Sequence, residues 1–102
     1  MNEYTLRYHP DTEHDFGAMV DFICRHSTRE HALRYVERLK AEVAELAWLA
    51  DALRPSDYTI PRLFHPQAKV LHTRNRKWSV VFHVEGRYVI VDRIIPSAMI
   101  AY

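Results

Sequence analysis

Between Arg76 and Ser97 the chain reads RKWSVVFHV, then Glu85-Gly86, then RYVIVDRIIPS. Two runs of alternating apolar residues meet at a two-residue turn, and this commits the C-terminal third to a β-hairpin. Side chains alternate along a strand, so Trp78, Val80, Phe82 and Val84 share one face of the first run. Ser79, Val81, His83 and Glu85 share the other face. In the second run Val89, Val91, Arg93 and Ile95 oppose Tyr88, Ile90, Asp92 and Ile94. One face must be covered. The other, if partly open, is lined by His83, Glu85 and either Arg93 or Asp92, because a one-residue slip of register exchanges the faces.

What covers the hairpin lies upstream. Tyr4, Leu6 and Tyr8 alternate with Thr5, Arg7 and His9, a period of two that predicts a half-buried strand over Tyr4–Tyr8. Pro10 suits the first turn of a helix, and Asp11, Glu13 and Asp15 complement its positive end. Phe16, Met19, Val20 and Ile23 then fall on one helical stripe. Ser27 with Glu30 forms a capping-box pattern, so a second helix is expected to begin near Thr28. Its stripe of Ala32, Tyr35, Val36, Leu39, Val43, Leu46 and Ala50 predicts a continuous helix of roughly six turns, antiparallel to the first. Pro55, Pro61 and Pro66 break the following stretch into a loop. Its apolar residues (Tyr58, Ile60, Leu63, Phe64) imply that it packs down. A further strand, Ala68–Thr73, reaches the hairpin through a turn at Arg74-Asn75-Arg76. The expected fold is α+β: strand–helix–helix–three strands, with a helical hairpin on a small, mostly antiparallel sheet.

Length and composition set bounds. The 102 residues make one domain, 48% hydrophobic with only two glycines, which argues for a packed globule. No apolar run approaches the roughly 20 residues that cross a bilayer, and no signal pattern opens the chain, so a cytoplasmic location is expected. Cys24 is alone, which excludes an internal disulfide and a thiol-based metal site, and it reads as apolar filler beside the helix stripe. His9, His14, His26 and His31 have no metal-ligand spacing, two glycines cannot form a phosphate loop, and no cofactor is expected. The acids of the first helix read as complements to its dipole. The net charge of +1 conceals an asymmetry: residues 1–53 carry six Lys/Arg against ten Asp/Glu (−4), and residues 54–102 carry eight against three (+5). A polyanion would be steered to the basic half, although small surfaces also partition charge unevenly by chance.

The stretch YTLRYHPDTEHDFGAMVDFICRHSTREHALRYVERL resembles ParE, with its strand, proline-led acidic helix start, aromatic-aliphatic stripe and the pair Ala32 and Tyr35. The run Trp78, Ser79, Val80, Val81, Phe82 resembles the third strand of the wider RelE/ParE toxin superfamily of bacterial type II toxin–antitoxin pairs. The resemblance spans nearly the whole chain and rests on the order and length of elements. It implies one of two activities. RelE-like members cleave mRNA in the ribosome using basic residues on the sheet and a C-terminal tyrosine. ParE-like members lack that set and are associated with poisoning of DNA gyrase. Here Ser79 stands where the nucleases keep a catalytic arginine, His72 replaces the basic residue of the preceding strand, and Ile94–Tyr102 carries no usable cation after Arg93.

The leading expectation is therefore a ParE-like toxin that inhibits gyrase by binding. The alternative is a ribosome-dependent endonuclease, which needs a base, an acid and a cation around one phosphate. His72 and His83 would be base and acid, Arg74, Arg76 or Arg93 the cation, and Tyr102 a stacking or donor group. A third reading is a non-toxic remnant that keeps only the binding fold. Arg74, Arg76, Lys77 and Arg93 are the candidate contacts to target or nucleic acid, and the bland reading makes them solvated turn charges. All readings imply a cognate antitoxin and a toxin–antitoxin hetero-oligomer. Trp48, Leu49 and Leu53 are candidates for that contact, unless they only finish the core.

Overall fold

The structure is a computed structural model that describes residues 3–100. A short strand β1 (Thr5–Tyr8) leads into α1 (Asp11–His26) and α2 (Arg29–Ala44). The one-turn helix α3 (Leu46–Leu49) and a 3-10 turn (Ala50–Ala52) follow. Then come α4 (Thr59–Phe64), the strands β2 (Lys69–His72), β3 (Trp78–Glu85) and β4 (Tyr88–Pro96), and a last 3-10 turn (Ser97–Met99). The four strands form one sheet in the order β1-β4-β3-β2, with β1 parallel to β4 and the other pairs antiparallel.

The helical hairpin forms as its sequence dictates, with corrections at its ends. Pro10 occupies the N-cap of α1 with helical dihedrals, and Asp11 and Glu13 lie in the first turn. The cap of α2 is Thr28, one residue later than the Ser27 pattern suggests: the Thr28 hydroxyl accepts from the His31 N–H at 3.1 Å. Ser27 instead bonds the His31 ring, Oγ to Nδ1 at 2.8 Å. The expected six-turn helix is interrupted after Ala44. The Glu45 N–H turns back to the carbonyls of Glu42 and Val43, and the Ala47 carbonyl is taken by the Tyr4 N–H at 2.7 Å. Leu46 and Ala50 stay fully buried, so the apolar stripe survives the break in the backbone ladder.

The principal core lies between the hairpin and one sheet face. Met19, Val36, Leu39, Val43 and Leu46 meet Val80, Phe82, Val89, Val91 and Ile94. The β3 faces are as expected, but those of β4 are not. Phe82 pairs with Val91 whereas Val81 pairs with Arg93, so Asp92 is an extra residue in β4. This bulge breaks the alternation. Beyond it Ile94, not Ile95, joins Val89 and Val91 in the principal core, and Ile95 turns to the other side.

The second face is not open. Ala68, Val81, Ile95 and Ile100 form a smaller buried cluster, with Ile60 of α4 packed against it. The stretch expected to be a loop thus contains a helix. Pro61 is tolerated there because it lies in the first turn, where its missing N–H has no intrahelical partner to lose. The segment is tied to the sheet by Ser56 N–H donating to the Ala68 carbonyl at 2.7 Å. Cys24 is free and half-exposed, so it is not a core filler. Among the described residues no helix is long and apolar enough to cross a membrane.

Candidate functional site

The sheet's second face carries the histidines, and the chain arranges them unlike a nuclease centre. Ser79, fully buried on β3, bonds His72 Nδ1 through its hydroxyl at 2.9 Å and Ser97 Oγ at 2.8 Å. These contacts follow from register, since His72 pairs directly with Ser79. His83 lies four residues further along β3, about 13 Å at the usual strand rise. Base and acid acting on one phosphate would have to sit within hydrogen-bond reach of it. The structure therefore does not bring His72 and His83 together.

His83 is also enclosed. It is 7% exposed, its Nδ1 donates to the Asp92 carboxylate at 2.7 Å, and Nε2 stands 3.4 Å from Glu85 Oε2. The His65 ring stacks on it at 4.0 Å with an interplanar angle of 2°. Alternation sets Asp92 on the face of Tyr88 and Ile90, which pair with Glu85 and His83, and the end of α4 delivers His65. The sequence left Asp92 and Arg93 as alternatives beside His83, and nothing in the proline-rich stretch marks His65 as a cover.

The basic residues divide into committed and uncommitted ones. Arg93 donates through Nε and Nη2 to Asp15 at 2.9 and 2.8 Å, and Asp15 also accepts the Ile94 N–H at 2.9 Å. The hydrogen bond to Asp15 raises the already high pKa of Arg93, against a smaller opposing effect of burial. Asp15 thus does more than complement a helix dipole. Arg74 is tied to α2: its guanidinium donates to Glu45 at 2.7 Å and its N–H to Glu42 at 3.1 Å. Arg76 and Lys77 make no ion pair among the described residues. Arg76 adopts φ +60°, a conformation that costs a non-glycine residue roughly 1 kcal/mol, and Asn75 Oδ1 pins the turn by accepting from Lys77 N–H and the Thr73 hydroxyl.

Tyr35 anchors the same turn to the helices. Its hydroxyl accepts from Asn75 Nδ2 and from Trp78 Nε1, both at 2.9 Å. The result presents Arg76 and Lys77 on a rigid tip. Of the candidate antitoxin contacts, Trp48 is 52% exposed, while Leu49 is half-buried and Leu53 packs against the principal core. Tyr102 lies outside the described residues. No group of three or more His, Cys, Asp or Glu among the described residues is placed to hold a metal ion.

A helical hairpin on a mixed four-stranded sheet of this order places the chain among the small α+β toxins of the RelE/ParE class. A sequence model of the family described as "ParE toxin of type II toxin-antitoxin system, parDE" matches residues 6–101, and the chain belongs to that family. Its fold is similar to a solved structure described as the chromosomal ParDE TA system from P. aeruginosa, with a TM-score of 0.77 and 23% identity. The match covers 92% of this chain and 96% of that one. No curated protein matches the sequence.

Proposed function

We propose that this toxin acts in the cytoplasm by binding DNA gyrase, without cleaving RNA, and that a cognate antitoxin neutralises it in a hetero-oligomer. One observation carries the reading: the nuclease set does not converge. Ser79 replaces the catalytic arginine and is spent on His72 and Ser97, His83 is enclosed by Asp92 and His65, and Arg74 and Arg93 are paired internally. Arg76 and Lys77 on their braced turn are the target contacts in this reading. Trp48 and Leu49, next to the end of α2, are the antitoxin contacts, offering apolar surface to a segment that orders on binding.

The test is inducible expression in a bacterial host with pulse-labelling of DNA and protein synthesis, joined to a supercoiling assay with purified gyrase. Arrested DNA synthesis, an SOS response and loss of supercoiling are expected. Early loss of protein synthesis with intact DNA synthesis would instead revive the endonuclease reading, and His72→Ala with His83→Ala would then restore translation. Harmless expression would leave a binding remnant.

A further inference from the structure

The segment that straps the second sheet face forms, with the outer edge of β2, a cleft of about 390 Å³ lined by Arg54, Ser56, Asp57, Tyr58, Val70 and His72. Its chemistry differs from that of the other surfaces described above. Tyr58 lines a concavity yet is 52% exposed, so its ring has a free face. Arg54 is exposed and makes no ion pair among the described residues. His72 is exposed, but its Nδ1 is held by the buried Ser79 hydroxyl, which in turn meets Ser97. A hydroxyl chain fixes the ring and leaves Nε2 uncommitted.

The wall bearing the tyrosine is ordered beforehand. Ser56 N–H is bonded to the Ala68 carbonyl at 2.7 Å, and Tyr58 N–H donates to Ser56 Oγ at 3.1 Å. Ile60, two residues on, is packed into the second cluster. The backbone that carries Tyr58 is therefore fixed before a ligand arrives. The cleft lies in the half of the chain with eight Lys/Arg and three Asp/Glu, which favours an anion. Asp57 disfavours one at its own position. An aromatic face, two cationic or donor groups and one acceptor together match a ligand with a flat ring, a phosphate and an amino group.

We propose that this cleft binds a nucleotide unit whose base carries an exocyclic amino group, as a free nucleotide or within a single strand. The base stacks on Tyr58, and Asp57 accepts from its amino group, as carboxylates do from cytosine N4. Arg54 pairs with the phosphate. Ser97 donates to Ser79 and Ser79 to His72 Nδ1, so Nε2–H donates to a phosphate oxygen. Thymine and uracil lack the amino donor and bind less well. The proposal does not depend on gyrase being the target, and it concerns residues other than the Arg76–Lys77 tip.

Anisotropy titrations of the full chain with labelled oligodeoxycytidine and oligodeoxythymidine, at low and physiological salt, test it. Tighter binding of the cytidine strand is expected. Tyr58→Ala and Arg54→Ala should each weaken it roughly tenfold, in keeping with the loss of one stacked base or one phosphate contact. Asp57→Ala should bring the affinity for cytidine down to that for thymidine while leaving thymidine binding undiminished, a result that a purely structural role would not produce. Tyr58→Leu, which keeps apolar volume but has no ring, covers the case in which Tyr58→Ala does not fold. Displacement by deoxycytidine monophosphate at similar concentration would identify a free-nucleotide site, and resistance to it a strand site; both uphold the proposal. It is overturned by no binding at low salt, by equal affinity for both strands, or by weakening in Arg76→Ala with Tyr58→Ala and Tyr58→Leu unaffected.

Discussion

Asp15 has the heaviest individual duty in the structure, receiving two bonds from Arg93 and one from the Ile94 backbone just past the bulge. Its side chain is 9% exposed and that of Arg93 33%, so solvent screens the pair only in part. Asp15→Ala strands a guanidinium and a backbone N–H together and is expected to destabilise by about 2 kcal/mol in urea unfolding. Much of this should return in the double variant with Arg93→Met, because the uncompensated charge is then gone. Raising the pH will not discharge Arg93, whose pKa is pushed further up. Tyr8 behaves differently. Burial raises its pKa from the ordinary 10.0. The unfolded phenol therefore ionises first, and the stability tied to Tyr8 is complete below that value and lost as pH climbs above it. Tyr8→Phe should flatten this alkaline limb, as read from unfolding midpoints across pH.

At the scale of elements, the joints decide more than the elements do. The β2–β3 turn is braced against α2 by Tyr35, Glu42 and Glu45. Tyr35→Phe removes the acceptor for the Trp78 indole and is expected to cost about 1 kcal/mol. Amide exchange at Arg76 and Lys77 should quicken more than at β4. Deleting Asp92 tests the bulge itself. Arg93 then follows Val91 directly, so Arg93, Ile94 and Ile95 keep their faces and Ile94 stays in the principal core, while His83 loses its carboxylate partner. A chain with Asp92 deleted should keep a cooperative thermal transition at a lowered midpoint, and Asp92→Asn, which keeps the bulge and an acceptor for His83, should lower it less. Most of the expected elements appear within a residue or two of their places, because the apolar periods that mark them also pack them. α4 was hidden because three prolines mask a helix whose first turn needs no N–H from Pro61.

Across the whole molecule, the acidic helical half and the basic sheet half are bonded through Asp15–Arg93 and Glu45–Arg74, so part of the apparent basic surface is neutralised internally. Among the cations left without an ion pair in the described residues are Arg76 and Lys77 at the tip and Arg54 in the cleft with Tyr58 and His72. Charge reversal at the tip, Arg76→Glu with Lys77→Glu, should abolish gyrase inhibition in the supercoiling assay with unfolding midpoints little changed, since neither group is paired. Trp48→Glu should weaken antitoxin capture in a co-purification and leave toxicity intact.

The amino-acid order by itself determined the fold class, the helical hairpin, the four strands and the core face of β3, because hydrophobic periods of 3.6 and 2 are local properties of a chain. Its elements in series also carried the likeness to the ParE family. Which charges are free was decided only in three dimensions. Asp15 and Arg93 are 78 residues apart, and Glu45 and Arg74 are 29 apart. No local pattern couples residues at such distances. The same holds for the bulge that returns Ile94 to the principal core, and for the strap that lays His65 over the His83 ring and lines one cleft with Tyr58 and His72. Those arrangements depend on how the sheet closes against its two covers, and a site assembled from separate elements exists only once they have docked.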